Sequence, residues 1–196
     1  MPDFQPVFRS PINPANFQLQ SPPAALTLLD LTSAAVVLVQ GQAEAILQKQ
    51  FGRVPAKPGE LIEVGEGLLA CLTANKFYLF GCAPAANLPS AAKLDEQLAQ
   101  AQPLAYATDL THGLAVLRLQ GAQAAELLSK ICGLDFHETV FPSGRVAQTS
   151  AAKIKTLIAR HDEGDTPTYF LHVDRPLGQY FWEVVCDAGQ EFGLSL

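Results

Sequence analysis

Between residues 113 and 120 the chain places Leu114, Val116, Leu117 and Leu119 in a short apolar run that Gln120 and Gly121 break, a pattern that predicts a strand. Ala124, Ala125, Leu127, Leu128 and Ile131 then recur at helical spacing, with Lys130 in the last turn and Gly133 as a stop. Phe141-Pro142-Ser143-Gly144 reads as a turn, because proline fixes φ and glycine tolerates left-handed backbone. Strands are predicted after it at 146–149, 155–160 and 169–173, with the polar run 162–167 as a connecting turn. Pro176 opens a last helix with Leu177, Tyr180, Phe181, Val184 and Val185 as its apolar stripe and Trp182 and Glu183 flanking it.

The same pattern occurs earlier in the chain. Residues 30–52, DLTSAAVVLVQGQAEAILQKQFG, repeat the frame of 109–133, DLTHGLAVLRLQGAQAAELLSKICG. Both open on Asp-Leu-Thr, carry Val-Leu in the strand and Gln-Gly after it, and continue through an alanine-rich helix to a lysine and a closing glycine. Pro58-Gly59 supplies the following turn, and strands are predicted at 61–64, 68–73 and 76–80. The fold class is therefore α+β, built from two pseudo-duplicated halves, each strand-helix-turn-strands. The expected division is an extended proline-rich arm (1–25), a first half (26–88), a linker helix capped by Ser90 (89–104) and a second half (105–196), the halves forming one unit. In the arm, proline removes backbone donors, so Phe4, Phe8 and Phe17 are expected to dock on this domain or on another subunit.

Composition changes the picture in one respect. Only 16% of residues are charged and 48% are hydrophobic, which suggests either a buried interface or, equally, an alanine-rich composition that inflates the apolar count without making a sticky surface. The net charge of −6, with thirteen Lys and Arg scattered along the chain, argues against a nucleic-acid partner. No membrane association is expected either: the most apolar run, 26–39, is interrupted by Thr27, Asp30, Thr32 and Ser33 and is too short to span a bilayer. The amino terminus lacks the charge and apolar pattern of a secretory signal, so a cytoplasmic location with reduced thiols is the expectation.

Candidate chemistry is sparse. No glycine-rich loop leaves a strand to open a helix, and Gly65-Glu66-Gly67 reads as a hairpin turn rather than a phosphate cradle. Four dispersed cysteines make no zinc pattern, and Cys132 is expected to be a buried, inert thiol. Asp135 with His137, and His161 with Asp162, are the tightest metal-ligand spacings. Two ligands are too few to hold an ion, so Asp135 is read as a turn cap and His137 as a partner of backbone. His112 stands where the first copy has Ser33 and is read as a loop residue that hydrogen-bonds locally.

Four stretches carry a family resemblance: THGLAVLRLQG, CGLDFH, FPSGRVAQT and TPTYFLHVDRPLGQYFW. They resemble the gamma subunit of heterotetrameric sarcosine oxidase, specifically from about 107 to 193, and more weakly in the first half through LTANKFYL at 72–79. Gly133 and Phe77 depart from the proline and tryptophan common there. The resemblance implies the fold of the folate-binding T-protein of glycine cleavage and a non-catalytic subunit, with no catalytic or metal residue of its own. Its implied partners are the large, folate-domain-bearing subunit and the flavin-bearing chains of an enzyme that demethylates sarcosine to glycine. FAD, FMN, NAD, zinc and tetrahydrofolate are expected in those chains and none in this one alone. The matched positions His112, Gly113, Arg118, Asp135, His137, Gly144 and Gln148 are then structural or interface candidates. The alternative is a stand-alone tetrahydrofolate or one-carbon-binding protein, in which Asp109, Asp135 or Glu183 would line a pocket.

Overall fold

Two antiparallel sheets form, and the ladder partners in each come from both halves of the chain. The computed structural model describes residues 9–13, 18–20, 26–101 and 104–194. The first half runs β1 (Gln18–Gln20), β2 (Thr27–Asp30), β3 (Val36–Gln40), α1 (Glu44–Phe51), β4 (Leu61–Val64), β5 (Gly67–Thr73), β6 (Lys76–Gly81) and α2 (Ala91–Ala101). The second runs β7 (Tyr106–Asp109), β8 (Leu114–Gln120), α3 (Ala124–Ile131), β9 (Arg145–Ala151), β10 (Ile154–Arg160), β11 (Thr168–Asp174) and α4 (Gly178–Ala188). The six-stranded sheet has the order β1-β2-β8-β11-β10-β9, and the five-stranded sheet β4-β5-β6-β3-β7.

Side-chain alternation along the strands then sets the layers. In β8, Ala115, Leu117 and Leu119 face α3 and α4 and join Leu127, Phe181 and Trp182 in one core. In β3, Val37 and Val39 face α1 and α2 and meet Leu47, Leu94 and Leu98 in another. The intervening positions, among them Val36, Phe80, Val116, Leu157 and Phe170, meet between the two sheets. The molecule is thus helices, sheet, sheet, helices, and each fully buried Leu or Phe stabilises it by about 1.5–3 kcal/mol.

The two sheets exchange strands. β2, from the first half, pairs with β8 (Asp30 opposite Leu117), while β7, from the second, pairs with β3 (Asp109 opposite Val37). The repeated Asp-Leu-Thr explains the exchange. Asp30 and Asp109 accept the amides of Thr32 and Thr111 at 2.9 and 2.8 Å, forming a tight turn at each strand exit. The Leu31 and Leu110 amides then donate to the carbonyls of Val116 and Val36 (2.7 and 2.8 Å). Completing the reciprocal clasp, the Val116 and Val36 amides donate to the hydroxyls of Thr32 and Thr111 at 3.3 and 3.0 Å. The proline-glycine turns meet in the same reciprocal way: the Leu61 amide donates to the Gly144 carbonyl (2.8 Å) and the Val146 amide to that of Gly59 (3.0 Å). Gly59 and Gly144 both have positive φ, +85° and +84°, which a side chain would strain.

The aromatic docking expected at Phe4, Phe8 and Phe17 lies outside the described residues. Within them the arm does touch its own domain: Ile12 is buried in the core beneath α4, and the Asn13 amide donates to Gln179 Oε1 at 2.8 Å. The last helix is rotated by one position from its predicted stripe. Gly178, Phe181, Trp182, Val185 and Cys186 face inward, while Tyr180 is 44% exposed and Trp182 fully buried. Close approach sets this phase, since a Cβ on Gly178 would lie 2.7 Å from Ala115 and 2.8 Å from Pro11. No side chain fits there, so the helix lies down on its glycine.

Candidate functional site

At one end the inter-sheet layer stays open. Moving outward by twos from the buried Phe170, Leu157, Tyr78 and Val116, alternation leads to His172 and Asp174, Lys155, Lys76 and Leu114. These residues, with Leu38, Leu110, Gly113 and Gln148, line a cleft of about 230 Å³. Its walls are largely aliphatic, Tyr78 and His172 lie at its base, and its mouth is charged. Among the described residues, Lys76, Lys155 and Asp174 form no ion pair.

His172 is the unusual member. It is buried, held edge-on by Phe80 (ring centroids 4.6 Å apart) and Tyr78 (5.6 Å), and neither ring nitrogen has a hydrogen-bond partner. Burial disfavours the imidazolium and pulls the pKa down to about 3, so at neutral pH the ring offers one donor and one acceptor and no charge. Burial, and secondarily the Asp174 carboxylate, push the Tyr78 phenol up, so it remains a neutral hydroxyl.

Of the motif residues, Gly113 and Gln148 come to this cleft, and His112 sits exposed beside Gly113. The others are spent on the frame. Arg118 lies toward the opposite end of its strand, where its Nη1 donates to Glu163 Oε1 at 3.0 Å while Gln120 holds the other oxygen at 3.1 Å. Gly144 makes the turn that joins the sheets. Asp135 accepts the His137 amide at 2.9 Å, and His137 Nδ1 lies 2.9 Å from the Thr139 hydroxyl, so both residues shape one loop. Asp162 is taken by a two-pronged contact with Arg160, Nε to Oδ1 at 2.9 Å and Nη2 to Oδ2 at 2.8 Å. Among the described residues no group of three His, Cys, Asp or Glu side chains could hold a metal ion. Burial pushes the Cys82 thiol to about 11 and Cys186 to about 12, keeping both protonated. Cys132 is buried, with Thr149 Oγ1 3.8 Å away.

The acids named for a folate pocket have other tasks. Asp109 caps the Thr111 turn, Asp135 caps that of His137, and Glu183 accepts the Gln179 amide at 2.7 Å. Asp174 reaches the cleft instead. Sequence reasoning missed it together with Lys76, Tyr78, Lys155 and His172, although the alternation that places them was visible in each strand. No helix among the described residues is long and apolar enough to cross a membrane.

Strand exchange and a four-layer arrangement define a class. The GCVT N-terminal domain model matches residues 24–196, and the chain belongs to that family. Its fold is similar to a chain of the heterotetrameric sarcosine oxidase from Corynebacterium sp. U-96 in complex with pyrrole 2-carboxylate. The two are 24% identical, with 87% of each chain covered and a TM-score of 0.74. It is also similar to glycine cleavage system aminomethyltransferase T from Bartonella henselae, at 16% identity and a TM-score of 0.60, over 81% of this chain and 44% of that one. No curated protein matches the chain in sequence. The T-protein type of fold expected from the motifs is thus the fold observed.

Proposed function

We propose that this chain is a non-catalytic accessory subunit, of the gamma type, in a heterotetrameric sarcosine oxidase-like flavoenzyme. The observation that carries the reading is the extent of the likeness: the fold match with a chain of such an oxidase runs through 87% of both chains. The fate of the motif residues supports it. Arg118, Asp135, His137 and Gly144 are committed to turns and inter-strand contacts, which suits a subunit that presents a shaped surface. Under this reading the partners are the large folate-domain-bearing subunit and the flavin-bearing chains. FAD, FMN, NAD, zinc and tetrahydrofolate reside in those chains, and oxidative demethylation of sarcosine occurs there. Co-expression with the genes beside its own should yield a complex in which this chain co-purifies with a flavoprotein. A stable, solitary monomer from the same co-expression would sink the proposal.

A second reading is a stand-alone tetrahydrofolate or one-carbon-binding protein, favoured by the Asp174 carboxylate at the mouth of an apolar cleft. Calorimetric titration of the isolated chain with tetrahydrofolate would then show binding that Asp174→Asn abolishes, and an absence of heat and of thermal shift removes this reading.

A further inference from the structure

We infer that the open end of the inter-sheet layer is a binding site for a small carboxylate with a compact apolar body. The inference stands apart from the accessory-subunit reading and rests on three features of the cleft. First, its cations are unspent: Lys76 and Lys155 project from facing sheets toward one opening, and neither pairs with an acid among the described residues. Two ammonium groups from opposite walls suit one carboxylate, since hydrogen bonds between charged groups are shorter and stronger than neutral ones. Second, His172 is buried at the base of the cleft with both nitrogens unpaired. A buried polar group without a partner costs about 1–3 kcal/mol, and a ligand atom that fills this gap recovers part of that cost. Third, the walls between these polar points are Leu38, Leu114 and Leu157, with room for a small ring or branched chain.

Size and charge narrow the class. A volume of 230 Å³ corresponds to about eight waters, below the range that encloses a drug-sized ligand, so a molecule as long as a folate would project from it. Asp174 at the rim repels a second carboxylate and leaves the site selective for a single anionic group.

Benzoate, with benzamide as its uncharged isostere, tests the assignment on the full chain. Nuclear magnetic resonance titration should show benzoate shifting amides of the strands around Leu114, Leu157 and His172, with benzamide bound at least about tenfold more weakly. Lys76→Gln and Lys155→Gln, both at positions where a neutral polar side chain leaves the fold intact, should each weaken benzoate about three- to tenfold, and together remove it. His172→Phe, which keeps the ring contacts, should lower the affinity of benzoate but not its preference over benzamide. Equal binding of benzoate and benzamide, no binding of benzoate up to about 10 mM, or undiminished binding by the double lysine variant would overturn the inference. Competitive displacement of benzoate by tetrahydrofolate would overturn it as well, because the cleft would then belong to the longer ligand.

Discussion

His172 carries the clearest single-residue consequence. Its unfolded pKa is near 6.5 and its folded pKa about 3, because burial disfavours the charged ring. Above pH 6.5 both states are neutral and the residue adds no pH dependence. Between 6.5 and 3 the unfolded chain takes up a proton that the folded chain refuses, so stability falls with acid at up to about 1.4 kcal/mol per pH unit. Denaturant unfolding at about pH 7.5 and pH 5 should show this fall in the wild type and a flatter profile in His172→Phe. Identical profiles would mean that the ring is hydrated rather than dry. Glycines give a second contrast at this scale. Gly41 has a φ of +94°, and a Cβ there would lie 2.1 Å from the Leu104 carbonyl oxygen, whereas a Cβ on Gly133 meets nothing within 4 Å. Gly41→Ala should lower stability by several kcal/mol, and Gly133→Ala should change it by less than about 1 kcal/mol, as read by thermal melting.

At the scale of elements, the clasp between exchanged strands is the feature to perturb. Thr32→Val and Thr111→Val keep the side-chain shape but strip the acceptor from the Val116 and Val36 amides. Each should cost about 1–3 kcal/mol, by leaving a strand amide unpaired, and paired denaturation curves would show whether the two losses are similar. Neutral behaviour of both variants would mean that water replaces the hydroxyl and that the clasp rests on the leucine amides alone. Much of this level was legible in the chain. The strands near 61–64 and 155–160 and the helix at 124–131 fall where alternation and helical spacing put them. The exchanged strands were not. Thr27–Asp30 and Tyr106–Asp109 are four residues each, too short for a periodic signal, and their partners lie far along the chain, Asp30 opposite Leu117 and Asp109 opposite Val37. For the same reason the cleft was half visible. Gly113 and Gln148 stood out through motifs, whereas His172 lay hidden in the apolar run of β11, and Lys76 and Lys155 read as ordinary strand ends until two sheets were placed face to face. The phase of α4 escaped because Gly178, silent in an apolar count, decides which side lies down.

For the whole molecule, strand exchange ties the two halves into one folding unit. The six-stranded sheet takes β1 and β2 from the first half and the five-stranded sheet takes β7 from the second, so neither half owns a complete sheet. A chain cut at 102–103 should give fragments that do not fold when expressed separately but that regain the native circular dichroism spectrum and a single melting transition when co-expressed. Two fragments that fold independently, with separate melting temperatures, would contradict this interdependence. The clasp and the proline-glycine turns each occur twice, and in both the contact that the first half makes to the second is returned. That is the pattern of an isologous interface, in which one surface is complementary to itself. The chain is built like a domain-swapped homodimer whose protomers have been joined end to end. Two identical copies of one half joined in tandem should therefore close on each other as this chain does, the first strand of each completing the sheet of the other.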